Sequence, residues 1–79
     1  MKIVYPVKGT LELPVAELLA YTTAFDVGQM GALFLLLLHQ ARLGAVPSSN
    51  VELARLARLD EDEFNEIWPV IAPILGVKP

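Results

Sequence analysis

Between Phe25 and Gly44 the chain reads FDVGQMGALFLLLLHQARLG, and apolar residues occupy both sides of the helix that this spacing predicts. At about 100° per residue, Met30, Leu33, Phe34, Leu37 and Ala41 fall on one stripe, bordered by Leu38. Ala32, Leu35, Leu36 and Leu43 point to the other side, around His39. Asp26 is a good N-cap, Gln29 stands where a capping box needs it, and Phe25 with Met30 fits a hydrophobic staple. Gly44 fits the C-terminal stop. Gly28 and Gly31 each cost this helix up to about 1 kcal/mol relative to Ala, and close approach of a neighbouring backbone would account for Gly31. A helix that is apolar all round is usually surrounded by its neighbours. Its second face is covered by the rest of the chain or by a copy or partner, and the two arrangements are compatible.

The flanking pattern predicts shorter elements. KIVYPV, residues 2–7, reads as a short strand that Pro6 ends or limits to an edge. Gly9 and Thr10 look like a turn. Pro14 suits the first turn of a helix in which Val15, Leu18 and Leu19 recur at helical spacing, and Thr22 with Thr23 stops it. AVPSSN is a loop whose Ser48, Ser49 or Asn50 caps VELARLARL, with Val51, Leu53, Ala54, Leu56 and Ala57 mainly inward. Asp60 with Glu63 repeats the capping-box pattern ahead of EDEFNEIWPVIAPIL, where Phe64, Ile67, Trp68 and Ile71 share a face. Pro69 and Pro73 are expected to kink or break that helix, and Gly76 to end it. The expected architecture is mainly α. A single domain over residues 1–79 holds three to four short helices in a helix-turn-helix order, with a short N-terminal strand.

Composition sharpens this picture. With 54% hydrophobic and 19% charged residues, the chain is not disordered. In 79 residues that content exceeds what one compact core needs, so some apolar side chains should lie exposed or in an interface. The absence of cysteine excludes a disulfide scaffold, a zinc–thiolate site and a thiol nucleophile, and is compatible with a reducing cytoplasm. The start lacks the apolar core of a signal peptide. Met30 to Leu38, the longest apolar run, falls short of the roughly twenty residues a membrane span needs. Net charge is −3 and unevenly placed. Lys2, Lys8 and Arg42 balance Glu12, Glu17 and Asp26, whereas residues 50–68 set Arg55 and Arg58 against Glu52, Asp60, Glu61, Asp62, Glu63 and Glu66. That acidic half opposes tight phosphate binding.

The matching residues Gly31, Phe34, Leu37, Leu38, Pro47, Leu53, Ala54, Arg55, Leu56, Phe64, Trp68 and Pro69 carry a resemblance. Over roughly residues 20–75 the chain is similar to the small N-terminal domain of YdaU-like phage proteins assigned to replication. That domain has a Gly followed by an aromatic- and Leu-rich helix, a loop with Pro, a Leu-Ala-Arg-Leu segment and a final helix with Trp before Pro. The resemblance implies a winged-helix-like fold, a phage or prophage origin and a bacterial cytoplasmic location. In the family a longer replication-associated region usually follows. This sequence stops at Pro79, so an incomplete winged helix without its wing hairpin is expected, and with it weakened DNA binding and no inherited replication activity.

Candidate chemistry is sparse. His39, the sole histidine, has no Ser/Asp partner at a recognisable spacing and no second His or Cys for a metal site, so it reads as a polar residue where the helix meets solvent. DEDEFNE lacks the glycine and alternating oxygen ligands of a calcium loop. Carboxylates in a first helical turn suit the positive end of the dipole, and an acidic recognition surface at Asp60, Asp62 and Glu63 is the other reading. Arg55 and Arg58 could contact phosphate, or Arg55 could pair with Glu52 while Arg58 is solvated. A DNA-reading second helix usually starts with basic or amide residues, and here that start is Glu61, Asp62 and Glu63. No phosphate loop, nucleophile motif or paired catalytic carboxylates appear, so neither an enzyme nor a cofactor is expected, and a small hydrolase has no positive support. The expected function is a phage-type protein-interaction module that self-associates or binds a host or phage protein, and that could inhibit a host defence or replication complex. Its candidate contacts are Leu35, Leu36, His39, Asp60, Asp62 and Glu63. The alternative is a DNA-binding domain of a replication or regulatory protein using Arg55 and Arg58. No membrane is involved in either.

Overall fold

Four helices follow in chain order in the computed structural model, which describes residues 3–4 and 9–77. They are α1 (Val15–Tyr21), α2 (Val27–Leu43), α3 (Asn50–Leu56) and α4 (Glu61–Leu75). The protein is mainly α, as its periodicity predicts. Among the described residues there is no strand. Val4 and Glu12 form one isolated antiparallel bridge, with N···O distances of 3.2 and 2.6 Å. Lys2 and residues 5–7 of the expected strand lie outside the described residues. The Gly9 N–H, in the expected turn, donates to the Ala41 carbonyl at 2.9 Å and ties this segment to the end of α2. Among the described residues no helix is long and apolar enough to cross a membrane.

The helix ends follow local chemistry. The Gln29 N–H donates to Asp26 Oδ1 at 2.7 Å and the Asp26 N–H to Gln29 Oε1 at 2.9 Å, which completes the expected capping box. Ser49, one of the three expected caps, receives the Glu52 N–H. Thr22 and Thr23 turn their hydroxyls back onto the Leu18, Leu19 and Ala20 carbonyls, which competes with continuation of α1. Gly44 and Gly76 close α2 and α4 at φ of 84° and 75°.

The turn between α3 and α4 is a Schellman closure. The Leu59 N–H reaches the Ala54 carbonyl at 3.0 Å, and the Arg58 N–H reaches that of Arg55 at 3.1 Å. The left-handed residue there is Arg58, at φ 60°, where glycine would carry no steric cost.

The break expected at Pro69 and Pro73 does not occur, and α4 runs from Glu61 to Leu75 through both. These prolines are four residues apart and both are exposed, on the face shared with Asn65. The two carbonyls that lose their donors, those of Asn65 and Pro69, therefore fall on the side where water can replace them.

The core lies between α2, α3 and α4. Leu33, Leu36, Leu37, Leu53, Phe64 and Ile71 are its largest fully buried side chains. Phe64 and Trp68 stack with ring centroids 5.2 Å apart and planes at 27°. From α1 only Leu18 is buried. Val15 and Leu19, at helical spacing with it, are exposed, and so is Val51 of α3, expected mainly inward.

Candidate interaction surface

The faces of α2 are set differently from the expected stripe. Its buried arc is Ala32, Leu33, Leu36, Leu37, Gln40 and Ala41. Leu36 is 0% exposed and belongs to the core, which removes it from the candidate contacts. Phe34, expected on the buried stripe, is 44% exposed. The sequence could not separate these positions because Leu, Phe and Ala stand all around the helix. Docking of α3 and α4 makes the choice, and a polar residue lies inside it. Gln40 is buried and its Nε2 donates to the Leu75 carbonyl at 3.1 Å, an acceptor that the end of α4 would otherwise leave without an intrahelical donor. Nothing in the periodicity marks Gln40 as internal.

The opposite face of α2 is exposed and uncharged until its last turn. Val27 (90% exposed), Gly31, Phe34 and Leu38 (55% exposed) follow at intervals of four, three and four residues, one line along a helix. Leu35 and His39 are half-buried at its margin. A Cβ placed at Gly31 would meet nothing within 4 Å, so no contact of that atom inside the protein calls for glycine there. Arg42 and Leu43, both exposed, end the helix.

The acidic run is partly absorbed by local structure. The Glu63 N–H, donating at 2.8 Å to Asp60 Oδ1, holds the Asp60 carboxyl below its ordinary range. The Asp60 side chain, through its hydrogen bond and then its charge, pushes the Glu63 carboxyl up. Only half of the second expected capping box forms. Asp60 receives the Glu63 N–H, while no bond among the described residues returns from the Asp60 N–H to Glu63. A neutral amide closes the loop at Gln29, whereas a second carboxylate at Glu63 is repelled by the cap itself. Asp62 is exposed one residue away.

Glu63 and Glu66 also line a hollow of about 230 Å³ with Asp26, Gly28 and Gln29, so the α2 N-terminal end is acidic. At its other end Arg55 and Glu52 border a hollow of about 250 Å³ with Leu43, Pro47 and Leu56. No ion pair among the described residues joins Glu52 to Arg55, contrary to expectation. Two exposed side chains three residues apart gain too little from pairing to offset the entropy of holding it. Arg58 is exposed on the turn. A third hollow of about 240 Å³ lies between Val46, Pro47, Leu53 and Trp68. All three are below the roughly 300–1,000 Å³ of small-molecule pockets. Among the described residues no three His, Cys, Asp or Glu side chains gather as metal ligands would.

The structure thus brings Asp60 and Glu63 together and leaves Leu35 and His39 on a different element from them. It adds Val27, Gly31, Phe34 and Leu38 to the candidate surface. Comparison of the chain with protein-family models, with curated proteins and with solved structures finds no match.

Proposed function

We propose that this protein is a non-catalytic, phage-type protein-interaction module that docks through the exposed face of α2. The observation that carries this reading is the line Val27, Gly31, Phe34, Leu38, apolar and open to solvent along most of the longest helix. The three hollows described above are smaller than typical small-molecule pockets, which favours a binding role over a catalytic one. Leu35 and His39 form the margin of this surface. The acidic residues Asp60, Asp62 and Glu63 lie apart from it, with Asp60 engaged in capping α4. The phage assignment rests on the YdaU-like resemblance.

Two measurements test the module: capture of proteins from a bacterial lysate on immobilised protein, and sedimentation of the protein alone. A Phe34→Lys, Leu38→Lys double variant should lose whatever the wild type binds while keeping its helical circular dichroism. If the wild type binds neither another protein nor itself, or the variant binds equally well, the reading fails.

The order α3, tight turn, α4, with Arg55 and Arg58 exposed, supports DNA binding as a second reading. Glu61, Asp62 and Glu63 at the start of α4 oppose it by repelling phosphate. Titration of labelled duplex and single-stranded DNA at low salt decides, and absence of binding there eliminates it.

A further inference from the structure

We infer that the occupant of the α2 face is a second copy of this chain, packed antiparallel across a two-fold axis beside Phe34; this rests on the protein-interaction reading above. Three observations converge. First, the face is complementary to its own reverse. Gly31 leaves a gap and Leu38 a projecting side chain two turns further on, roughly 10 Å along the axis. Reversing one helix over the other sets each Leu38 above the partner copy's gap, twice by symmetry, with Phe34 beside its own counterpart. An isologous interface needs this reciprocity. Second, no close contact within one copy calls for a glycine at Gly31, since a Cβ there meets nothing within 4 Å. A glycine that weakens a helix without an internal reason suits the close approach of another backbone. Third, the charges match only in the antiparallel sense. The N-terminal end of α2 carries Asp26, its exposed cap. The C-terminal end carries Arg42, exposed in the last turn of α2, while Arg55 of α3 is offset by Glu52 in the same hollow. Antiparallel pairing sets each acidic end beside a basic one and opposes the helix dipoles favourably, whereas parallel pairing sets acid against acid.

Sedimentation across concentrations reaching roughly 100 μM tests this, since a micromolar dissociation constant fills the dimer there. The wild type should shift with concentration from 8.6 kDa towards twice that mass. Gly31→Leu projects a side chain into the gap from an exposed position where a Cβ meets nothing, so it should keep its helical circular dichroism and weaken the dimer at least tenfold. Leu38→Lys should do the same, and Arg42→Glu should weaken it less and in a salt-dependent way. Because the chain has no cysteine, register can be read directly. A mixture of Gly31→Cys and Leu38→Cys chains should crosslink to each other in preference to themselves. A wild type that is monomeric throughout overturns the inference, and lysate capture through the same face would then leave the module reading standing. A dimer that survives both Gly31→Leu and Leu38→Lys, or crosslinks chiefly between like cysteines, also overturns it.

Discussion

Truncation of Leu36 to alanine probes the assignment of α2 most directly. Leu36 is 0% exposed, in the middle of the helix that α3 and α4 enclose. The change removes three carbon atoms from a dry site, at about 0.8 kcal/mol each for transfer alone, or about 2.4 kcal/mol. The cavity left behind adds to this, and leucine-to-alanine changes at enclosed sites total about 3–5 kcal/mol. A 79-residue domain has roughly 4–12 kcal/mol of stability in all, so the loss is a large share of it. For a domain this size each kilocalorie moves the melting temperature by about 4–8 °C, which predicts a fall of at least about 12 °C. The paired control is Leu43→Ala, at the same residue type on the same helix but 58% exposed, where the cost should be about 1 kcal/mol or less. Urea denaturation followed by circular dichroism at a low protein concentration measures both. Equal losses, or a larger loss at Leu43, would refute the placement of the buried arc.

Three further outcomes follow from single features. Arg58→Gly relieves the left-handed conformation at the α3–α4 turn and should stabilise by up to about 1 kcal/mol, after the larger unfolded-state freedom of glycine is set against the relief; a destabilised variant in a thermal melt would contradict the turn geometry. The raised pKa of Glu63 means that its ionised form is disfavoured in the fold, so its contribution is present below the ordinary carboxylate range and lost as pH rises through the raised value. Asp60, with its lowered pKa, does the opposite, contributing above that range and losing it as pH falls through the lowered value. Glu63→Gln should therefore raise the melting temperature at neutral pH, with the gap to wild type closing below about pH 4, and a gap that widens in acid would contradict the pairing. Gln40→Met keeps the volume but strips the Leu75 carbonyl of its donor, and should cost about 1–3 kcal/mol by urea denaturation.

Helix type and helix ends were legible in the chain because they depend on near neighbours. Asp26 with Gln29, Gly44, Gly76 and the two threonines after α1 act within one turn of the backbone, and each ends a helix where its own chemistry requires. Burial was less legible. Leu33, Phe34, Leu36 and Leu38 are equally apolar in sequence, and only the docking of α3 and α4 distinguishes the two that are enclosed from the two that face water. The same holds for Gln40, whose acceptor lies thirty-five residues away, and for Pro69 and Pro73, tolerated because tertiary packing turns their side of α4 outward. The second capping box failed for a reason within reach of the sequence, since two carboxylates share it, but whether that repulsion outweighs the bond depends on the geometry at the α4 start. What the sequence by itself determined was a small helical protein with more apolar surface than its core uses. The tertiary structure decided where the excess lies: along Val27, Gly31, Phe34 and Leu38, because burial is settled by long-range packing that local periodicity does not encode.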